Sequence, residues 1–142
     1  TCMLLGEECP PVMSVAQARS WLARLSDKPG IVVIKGVPLI DDDGQKLSNV
    51  GFDKESGSFW RIDWDHIPVH YPGTGDIFTS VLTASLLKGE SLPIALNRAT
   101  TFTEIAVKTT YSYGTEPRLG VLFEDCLSWL MTNTVLCDYR KL

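Results

Sequence analysis

Apolar residues near the start of the chain follow first a helical pattern and then a consecutive one. Residues 1–8 look like the end of a helix stopped by Pro10 and Pro11. Ser14 suits a helix N-cap, and apolar residues then recur at helical spacing: Val15, Ala18, Trp21, Leu22 and Leu25. The run IVVIKG, from Ile31 to Gly36, is β-branched and apolar on consecutive positions. That pattern is typical of a strand buried on both faces, as in a parallel sheet.

Two further strands are predicted before Asp65. The segment LIDDDGQK, residues 39–46, is polar and predicts a loop. Leu47 to Asp53 and Ser58 to Trp64 are strand-like, and KESG between them supplies turn residues, so a β-hairpin is expected. A single buried strand cannot form a sheet, so the parallel partners of IVVIKG are expected outside this chain.

Three helices are predicted in the second half of the chain. Ile77 to Leu87 is apolar almost all round, as in a helix buried within a domain. Leu92 to Tyr111 repeats apolar residues at helical spacing and ends near Gly114. Leu119 to Met131 predicts the last helix. Together with the strands, these helices indicate an α/β protein.

Composition and charge narrow the classes of function. The chain has 142 residues, of which 44% are hydrophobic and 21% are charged, as in an ordinary globular domain. A formal net charge of −4 argues against a general nucleic-acid-binding protein, which would carry a basic face. No apolar run is long enough to span a bilayer, so no membrane partner is expected. The first residue is not methionine, which favours a piece of a longer protein.

The spacing of the cysteines, histidines and aspartates does not match a zinc or calcium site. The spacing of the cysteines does not match a zinc site. We expect a cytosolic protein in which all four are reduced thiols: Cys2, Cys9, Cys126 and Cys137. Neither His66 nor His70 has a second ligand at metal spacing. Gly44 falls at the wrong offset after three aspartates for an EF-hand loop. No metal-ligating residue is therefore predicted.

The stretch HYPGTGDIF places Gly73, Thr74 and Gly75 directly before the apolar helix and Asp76 at the join. The first N–H groups of a helix have no partner inside it and lie at the positive end of its dipole. Glycines there let an anion approach the amides, so these residues form a candidate nest for a phosphoryl group. Asp76 could accept a proton from an attacking alcohol. The alternative is an ordinary loop with an aspartate that caps the helix.

These residues also resemble a known family. GTGD at the start of an apolar helix is similar to the signature of the ribokinase-like superfamily, in its vitamin-kinase branch. The longer run HYPGTGDIFTSVLTASLLKGESLPIALNRATTF, with VVIKGV and YGTEPRLGVLFE, resembles bacterial pyridoxamine and pyridoxal kinases. The resemblance implies the C-terminal portion of a ribokinase-like three-layer α/β/α fold, with a β-hairpin and three C-terminal helices.

The resemblance implies an activity and a catalytic centre. The activity is vitamin B6 salvage, in which the γ-phosphoryl group of MgATP is transferred to the 5′-hydroxymethyl group of pyridoxal, pyridoxine or pyridoxamine. The resemblance implies Mg²⁺, bound to ATP, as one ion and K⁺ as a second candidate ion. By resemblance, Asp76 is the catalytic base, and the anion hole consists of Gly73, Thr74 and Gly75.

Further residues are implied for ATP. By resemblance, Lys35 at the end of IVVIKG would contact the β- or γ-phosphate, which suits a compact point charge. The alternative is a solvent-facing lysine at the end of a strand. The segment before GTGD is similar to the family's adenine-site wall, which implies Ile67, Val69 and Tyr71.

The chain also departs from the family. Members are longer, and their N-terminal half carries the vitamin pocket, most of the sheet and, just before the point that matches Thr1, an Asn-x-Thr-Glu motif that helps to place magnesium. We therefore expect the C-terminal half of a cytoplasmic kinase that needs its N-terminal half or a second subunit, and a homodimer when intact. The alternatives are a ribokinase-like kinase of hydroxymethylpyrimidine or a sugar, and a non-catalytic nucleotide-binding fragment. Hydroxymethylpyrimidine kinases usually have cysteine at the position of Asp76, which counts against them.

Overall fold

The structure, a computed structural model, describes residues 1–65, 67–132 and 136–142, so His66 lies outside the described residues. The chain divides into two compact units. The first comprises Thr1–Trp64 and Asp138–Leu142, and the second comprises Asp65–Cys137. Each unit has its own buried apolar side chains.

The first unit is built on a mixed five-stranded sheet with strand order β1-β2-β3-β4-β5. Its elements are helices α1 (Cys2–Leu5) and α2 (Val15–Leu25) and strands β1 (Met13–Ser14), β2 (Ile31–Asp41), β3 (Gly44–Asp53), β4 (Ser58–Trp64) and β5 (Arg140–Lys141). β1 runs parallel to β2, and the other neighbouring pairs are antiparallel. A sheet combined with helices confirms the predicted α/β class.

Helix α2 begins and packs as its sequence predicts. The Gln17 N–H donates to the Ser14 hydroxyl at 3.2 Å, and the Ser14 N–H donates to the Gln17 side-chain oxygen at 3.1 Å, which forms a capping box. The apolar face of the helix packs on the sheet in one core, whose buried members include Ala18, Trp21, Leu22, Ile34, Val37, Leu39, Val50 and Phe52. Removal of these side chains from water is the main stabilising contribution to this unit.

Strand β2 is confirmed, but its pairing and burial differ from the prediction. It pairs antiparallel with β3, whereas β1 pairs with it only at Leu39 and Ile40. Within the described residues, the segment 31–38 therefore has a strand on one side only. Ile31 is 39% exposed, so this strand is not buried on both faces here. The tight hairpin that follows β2 explains the pairing, because it supplies an antiparallel partner from the same chain.

A β-bulge interrupts β2 next to a predicted site residue. The register of the β2–β3 pair shifts between Ile34 and Val37. Lys35 and Gly36 consequently lie opposite the single residue Asn49. The Gly36 N–H donates to the Asn49 side-chain oxygen at 2.9 Å, which holds the bulge. The extra residue allows both Ile34 and Val37 to be buried in the same core, although side chains three positions apart in a regular strand point to opposite faces.

The predicted loop over residues 39–46 is wrong, because β2 and β3 continue through most of it. Only Asp42 and Asp43 separate the two strands. The Asp43 N–H donates to the Asp41 carboxylate at 2.9 Å, a local bond that favours a turn. Polar residues suit a turn as well as a loop, so composition did not distinguish the two. The predicted hairpin between β3 and β4 is confirmed.

A network of ion pairs crosses the sheet from β2 to β5. Arg61 on β4 is only 3% exposed, and its guanidinium lies 2.5 Å from an Asp41 oxygen and 3.2 Å from an Asp63 oxygen. Arg140 on β5 also pairs with Asp63, and the Ser48 hydroxyl donates to Asp63 at 2.6 Å. The hydrogen bond from Arg61 holds the pKa of Asp41 below its ordinary value.

We expect Asp41 to link the stability of the first unit to pH. Because its pKa is lowered in the folded state, its pairing with Arg61 stabilises the fold above the ordinary aspartate pKa of about 3.9. That stabilisation is lost as the pH falls through the folded-state pKa. Asp41→Asn should therefore lower the urea midpoint at pH about 7 and flatten its fall below pH about 4. Asp42→Asn in the exposed turn is the control, and an unchanged acid limb in Asp41→Asn would contradict the prediction.

Two of the four cysteines are bonded, contrary to the expectation of reduced thiols. Cys2 and Cys9 form a disulfide with their Cα atoms 5.5 Å apart. Helix α1 ends at Gly6, whose φ of 66° reverses the chain and brings Cys9 back towards the helix start. A helix through residue 8 would have held the two thiols apart. Cys126 and Cys137 are free, as predicted.

The second unit is helical among its described residues. Its elements are α3 (Thr74–Leu87), α4 (Leu92–Tyr113) and α5 (Leu127–Leu130), with 3₁₀ turns at Pro117–Leu119 and Glu124–Cys126. Helices α3 and α4 contact each other, and α4 ends at Gly114 as predicted, with φ of 62°. No helix in the described part of the chain is long and apolar enough to cross a membrane.

Two helices differ from their predicted extent or burial. Helix α3 starts at Thr74 rather than Ile77, and only Phe78, Val81 and Ser85 are buried along it. The predicted helix over residues 119–131 is mostly wrong, since only its last part is α-helical. Gly120 has φ of 82° and ψ of −163°, which no helix can contain. The apolar residues around it do not line one helix face but form part of the wall of a cavity.

Candidate active site

Helix α3 begins with an open set of backbone donors. Gly73 is its N-cap, with φ of 86° and ψ of −12°, and no side chain caps the helix. The Ile77 N–H donates to the Gly73 carbonyl at 3.0 Å and starts the helical ladder. The N–H groups of Thr74, Gly75 and Asp76 therefore have no acceptor inside the helix and lie at the positive end of its dipole. This arrangement suits an anion such as a phosphoryl group.

Two threonine hydroxyls hold the first turn and the loop before it. Thr74 Oγ1 donates to the carbonyl of the buried Tyr71 at 3.2 Å. Thr79 Oγ1 donates to the Gly75 carbonyl at 2.9 Å. Because the Thr74 hydroxyl is bonded to the backbone, the donors left at the helix start are the N–H groups. The two bonds preorganise those donors before an anion binds.

Asp76 is the third residue of α3, and it is exposed. The N-cap position belongs to Gly73, so Asp76 does not cap the helix, which was the alternative reading of this carboxylate. It lies in the same helical turn as the N–H donors. A carboxylate in that position can accept a proton from a hydroxyl that approaches the bound anion.

A cavity of about 920 Å³ lies along one face of α3 within the second unit. The helix contributes residues spaced four positions apart, from Asp76 through Ser80 and Ala84 towards Lys88 at the helix end. Part of the remaining wall comes from the segment 119–132, which is mostly apolar. The volume is in the range of small-molecule sites, and such sites combine apolar walls with a few polar groups.

The cavity is charged at the end of α3 remote from Asp76. Glu90 and Arg98 line it and form a bidentate ion pair, with 2.8 Å between Arg98 Nη2 and Glu90 Oε1 and 3.1 Å between Nε and Oε2. The hydrogen bond from Arg98 lowers the pKa of the Glu90 carboxyl. The pair joins the loop between α3 and α4 to α4 itself. It therefore stabilises the wall at this end of the cavity.

Comparison with known proteins identifies the family. The profile described as phosphomethylpyrimidine kinase matches residues 1–119. The chain belongs to the phosphomethylpyrimidine kinase family. No curated protein was found to match it by sequence.

Solved structures similar to this family member include proteins from two bacteria. A Bacteroides thetaiotaomicron protein, provisionally assigned as a phosphomethylpyrimidine kinase, is 36% identical over 98% of this chain and 47% of its own, with a TM-score of 0.90. A crystal form of that protein with pyridoxal gives 36% identity, 99% and 49% coverage and a TM-score of 0.89. The pyridoxal kinase from Lactobacillus plantarum is 25% identical over 92% of this chain and 45% of its own, with a TM-score of 0.75.

These likenesses confirm the ribokinase-like α/β fold and the resemblance to the pyridoxal kinases. The chain spans about half the length of these relatives. Among the described residues, no group of three or more histidine, cysteine, aspartate or glutamate side chains is placed to hold a metal ion.

The residues predicted for the adenine site of this phosphomethylpyrimidine kinase family member lie in the second unit, shortly before α3. Ile67 and Val69 are half-buried, and the Val69 N–H donates to the Ile67 carbonyl at 2.7 Å. Tyr71 is buried, and its carbonyl accepts the bond from Thr74. None of these three described residues lines the cavity. Their contact with adenine stays a prediction.

Lys35 lies in the first unit, at the bulge of β2, and it is exposed. Bulges are frequent beside active sites, where they redirect a side chain. The only sign of this bulge in the sequence is Gly36, whose φ of 62° the bulge requires. The role of Lys35 on phosphate stays a prediction.

Sequence reasoning missed most of the cavity. On α3, the signal was present as the polar or charged residues Asp76, Ser80 and Lys88, spaced by four and eight positions on one helix face. The segment 119–132 gave no such signal, because its fold is irregular and its place depends on contacts distant in sequence.

Proposed function

We propose that this chain is the C-terminal half of an ATP-dependent kinase that phosphorylates the 5′-hydroxymethyl group of a vitamin B6 vitamer. The observation that carries the proposal is the start of α3, where the N–H donors of residues 74–76 accompany the carboxylate of Asp76 beside a cavity. Phosphoryl transfer needs positioned donors for the transferred group and a residue that orients the attacking hydroxyl. One helical turn offers both.

In the proposed reaction, the helix start binds the transferred phosphoryl group. Its oxygens accept hydrogen bonds from the N–H groups of Thr74, Gly75 and Asp76, and the absence of a side chain at Gly73 and Gly75 keeps the approach open. The Asp76 carboxylate accepts the proton of the vitamer hydroxyl as its oxygen attacks phosphorus. The bond from the γ-phosphorus to the bridging oxygen breaks, and the products are ADP and the vitamer 5′-phosphate.

Magnesium would arrive as MgATP, where it neutralises charge on the phosphates. The described residues offer no cluster of three metal ligands, so we assign no residue of this chain to Mg²⁺ or K⁺. Single side chains such as Asp76 do not make a metal site by themselves.

Two relatives favour a B6 vitamer as the substrate. The Bacteroides thetaiotaomicron protein, 36% identical, has a crystal form with pyridoxal, and the Lactobacillus plantarum protein is a pyridoxal kinase. The name of the matched family favours the alternative, a phosphorylated or free hydroxymethylpyrimidine. The aspartate at position 76, where hydroxymethylpyrimidine kinases usually carry cysteine, supports the vitamer.

The test is a substrate comparison with the purified intact kinase that contains this chain. Pyridoxal, pyridoxine, pyridoxamine, hydroxymethylpyrimidine and ribose would each be supplied with MgATP, and ADP release and the phosphorylated product would be measured. We expect kcat/KM for at least one vitamer to exceed that for hydroxymethylpyrimidine by about 10²-fold or more, as a site built for specific polar groups allows. A preference for hydroxymethylpyrimidine would support the alternative. Nucleotide binding without any transfer would support a non-catalytic fragment.

Lys35→Met should weaken the binding of ATP more than it weakens the binding of the vitamer. The side chain is assigned to a phosphate, and loss of a hydrogen bond to a charged group costs about 1.5–3 kcal/mol, so KM for ATP should rise roughly tenfold or more. KM for pyridoxal should change little. Lys28→Met, at an exposed lysine in the turn before β2, is the matched control. Equal changes in both KM values, together with a lowered melting temperature, would show a structural lysine instead.

The homodimer, the cytoplasmic location and the need for an N-terminal half stay predictions. The Cys2–Cys9 disulfide bears on the location, because such bonds persist mainly in oxidising compartments. Mass spectrometry of protein alkylated directly in cell lysate would show whether Cys2 and Cys9 are reduced in the cell.

A further inference from the structure

Gly120 is held in a conformation and a place that disfavour a side chain. Its φ of 82° and ψ of −163° fall in a region that is essentially restricted to glycine. A Cβ atom there would lie 3.3 Å from the Pro72 carbonyl oxygen, closer than ordinary van der Waals contact. Among the positive-φ glycines of the described residues, it is the only one whose added Cβ would meet another atom within 4 Å.

The segment around Gly120 cannot easily move away from Pro72. The Gly120 N–H donates to the Pro117 carbonyl at 3.1 Å and closes a 3₁₀ turn on one side. On the other side, the Leu122 N–H donates to Thr110 Oγ1 at 2.8 Å, and Thr110 on α4 is 0% exposed. Because these two bonds hold the segment, we expect a side chain at position 120 to displace the Pro72 carbonyl.

Pro72 immediately precedes Gly73, the N-cap of α3, and all three of Pro72, Gly73 and Gly120 line the cavity. A displacement of the Pro72 carbonyl therefore reaches the N-cap through a single peptide unit. The N–H groups of the first helical turn are the donors assigned to the phosphoryl group. Their position thus depends on the absence of a side chain at Gly120.

We propose that Gly120 is a positioning residue for the phosphoryl-binding start of α3. This inference rests on the proposed kinase function. Gly120 touches neither the nucleotide nor the vitamer in this proposal. It acts by letting the segment 119–121 pack against Pro72, which fixes the N-cap and the N–H donors that follow. The family match ends at Leu119, so the matched region itself does not assign this role.

Gly120→Ala tests the proposal against a matched control. Gly89 also has a positive φ, 86°, but a Cβ there would meet nothing within 4 Å, so Gly89→Ala introduces backbone strain without the contact. In the intact kinase, we expect Gly120→Ala to shift the amide NMR signals of Gly73 and Gly75, to weaken ADP binding and to lower kcat about tenfold. A misplacement of about 1 Å can cost about 10²-fold, and the displacement here is smaller. Gly89→Ala should leave all three readings near those of the parent, and KM for the vitamer should stay unchanged in both variants.

The proposal would be overturned if Gly120→Ala and Gly89→Ala had the same kcat and the same amide signals for Gly73 and Gly75. Should Gly120→Ala fail to fold, Thr110→Val is the second variant, since it removes the anchor of the Leu122 N–H. It should shift the same two glycine signals, and Thr110→Ser should restore them; unshifted signals in folded Thr110→Val would also overturn the proposal. An intact parent kinase that neither binds ADP nor transfers phosphoryl would refute the proposed function, while the NMR comparison would still report on the Gly120 contact.

Discussion

In the intact kinase, Asp76→Asn is expected to lower kcat by about 10²- to 10⁴-fold, the usual contribution of a general base, while ATP affinity stays nearly unchanged. Asparagine keeps the size of the side chain and its place in the first turn of α3. It cannot accept the proton of the vitamer hydroxyl, so the loss should appear in the chemical step. The N–H donors belong to the backbone and remain available for phosphate.

The measurement is steady-state turnover with pyridoxal and MgATP, combined with calorimetric titration of ADP. Asp125→Asn is the matched control, because it removes an exposed carboxylate elsewhere in the second unit. Near-normal turnover in Asp76→Asn would contradict the assignment. If the melting temperature fell as well, the carboxylate would act only through the dipole of α3, a contribution of about 0.3–1 kcal/mol.

Local patterns predicted most of the elements, because their causes are local. Ser14 and Gln17 form the capping box that the start of α2 suggested. The turn residues between β3 and β4 produced the expected hairpin. Gly114 ends α4 with a positive φ, as a C-cap glycine does. In each case the deciding interaction joins residues close in sequence.

The errors lie where a local pattern permits two structures or where distant contacts decide. Aspartates at 41–43 suit a loop and a tight turn equally, and the cross-strand pairing of β2 with β3 selected the turn. Apolar residues from 119 to 131 suit a helix, but a bond from the Leu122 N–H to Thr110 and the positive φ of Gly120 favour an irregular path. The Cys2–Cys9 bond depended on a helix shorter than the pattern suggested.

The same division applies to the candidate site. The GTGD motif could be recognised in the sequence because its four residues are consecutive and form one loop and one helical turn. The structure adds that the N–H groups of residues 74–76 have no acceptor inside the helix and that the Thr74 hydroxyl is bonded to the Tyr71 carbonyl. The cavity wall opposite α3 could not be predicted, since no repeat in the sequence joins Asp76 to a segment more than forty residues later.

The chain of 142 residues alone is expected to form no pyridoxal phosphate from pyridoxal and MgATP. Within the described residues, segment 31–38 of β2 has a strand on one side only, and Ile31 is 39% exposed. An apolar strand with a neighbouring strand on one side only is a place for another strand to bind. The relatives are about twice as long, and we propose that the additional half supplies both that strand and the vitamin pocket.

Addition of a separately expressed N-terminal half from the intact kinase should restore part of the activity if the two halves dock. The matched control is the same mixture with Asp76→Asn in this chain, which should stay inactive, because restored activity must use the proposed base. Size-exclusion chromatography with light scattering would show whether the halves associate. Steady turnover by the isolated chain would contradict the half-kinase proposal, because a complete vitamin site would then exist within these residues.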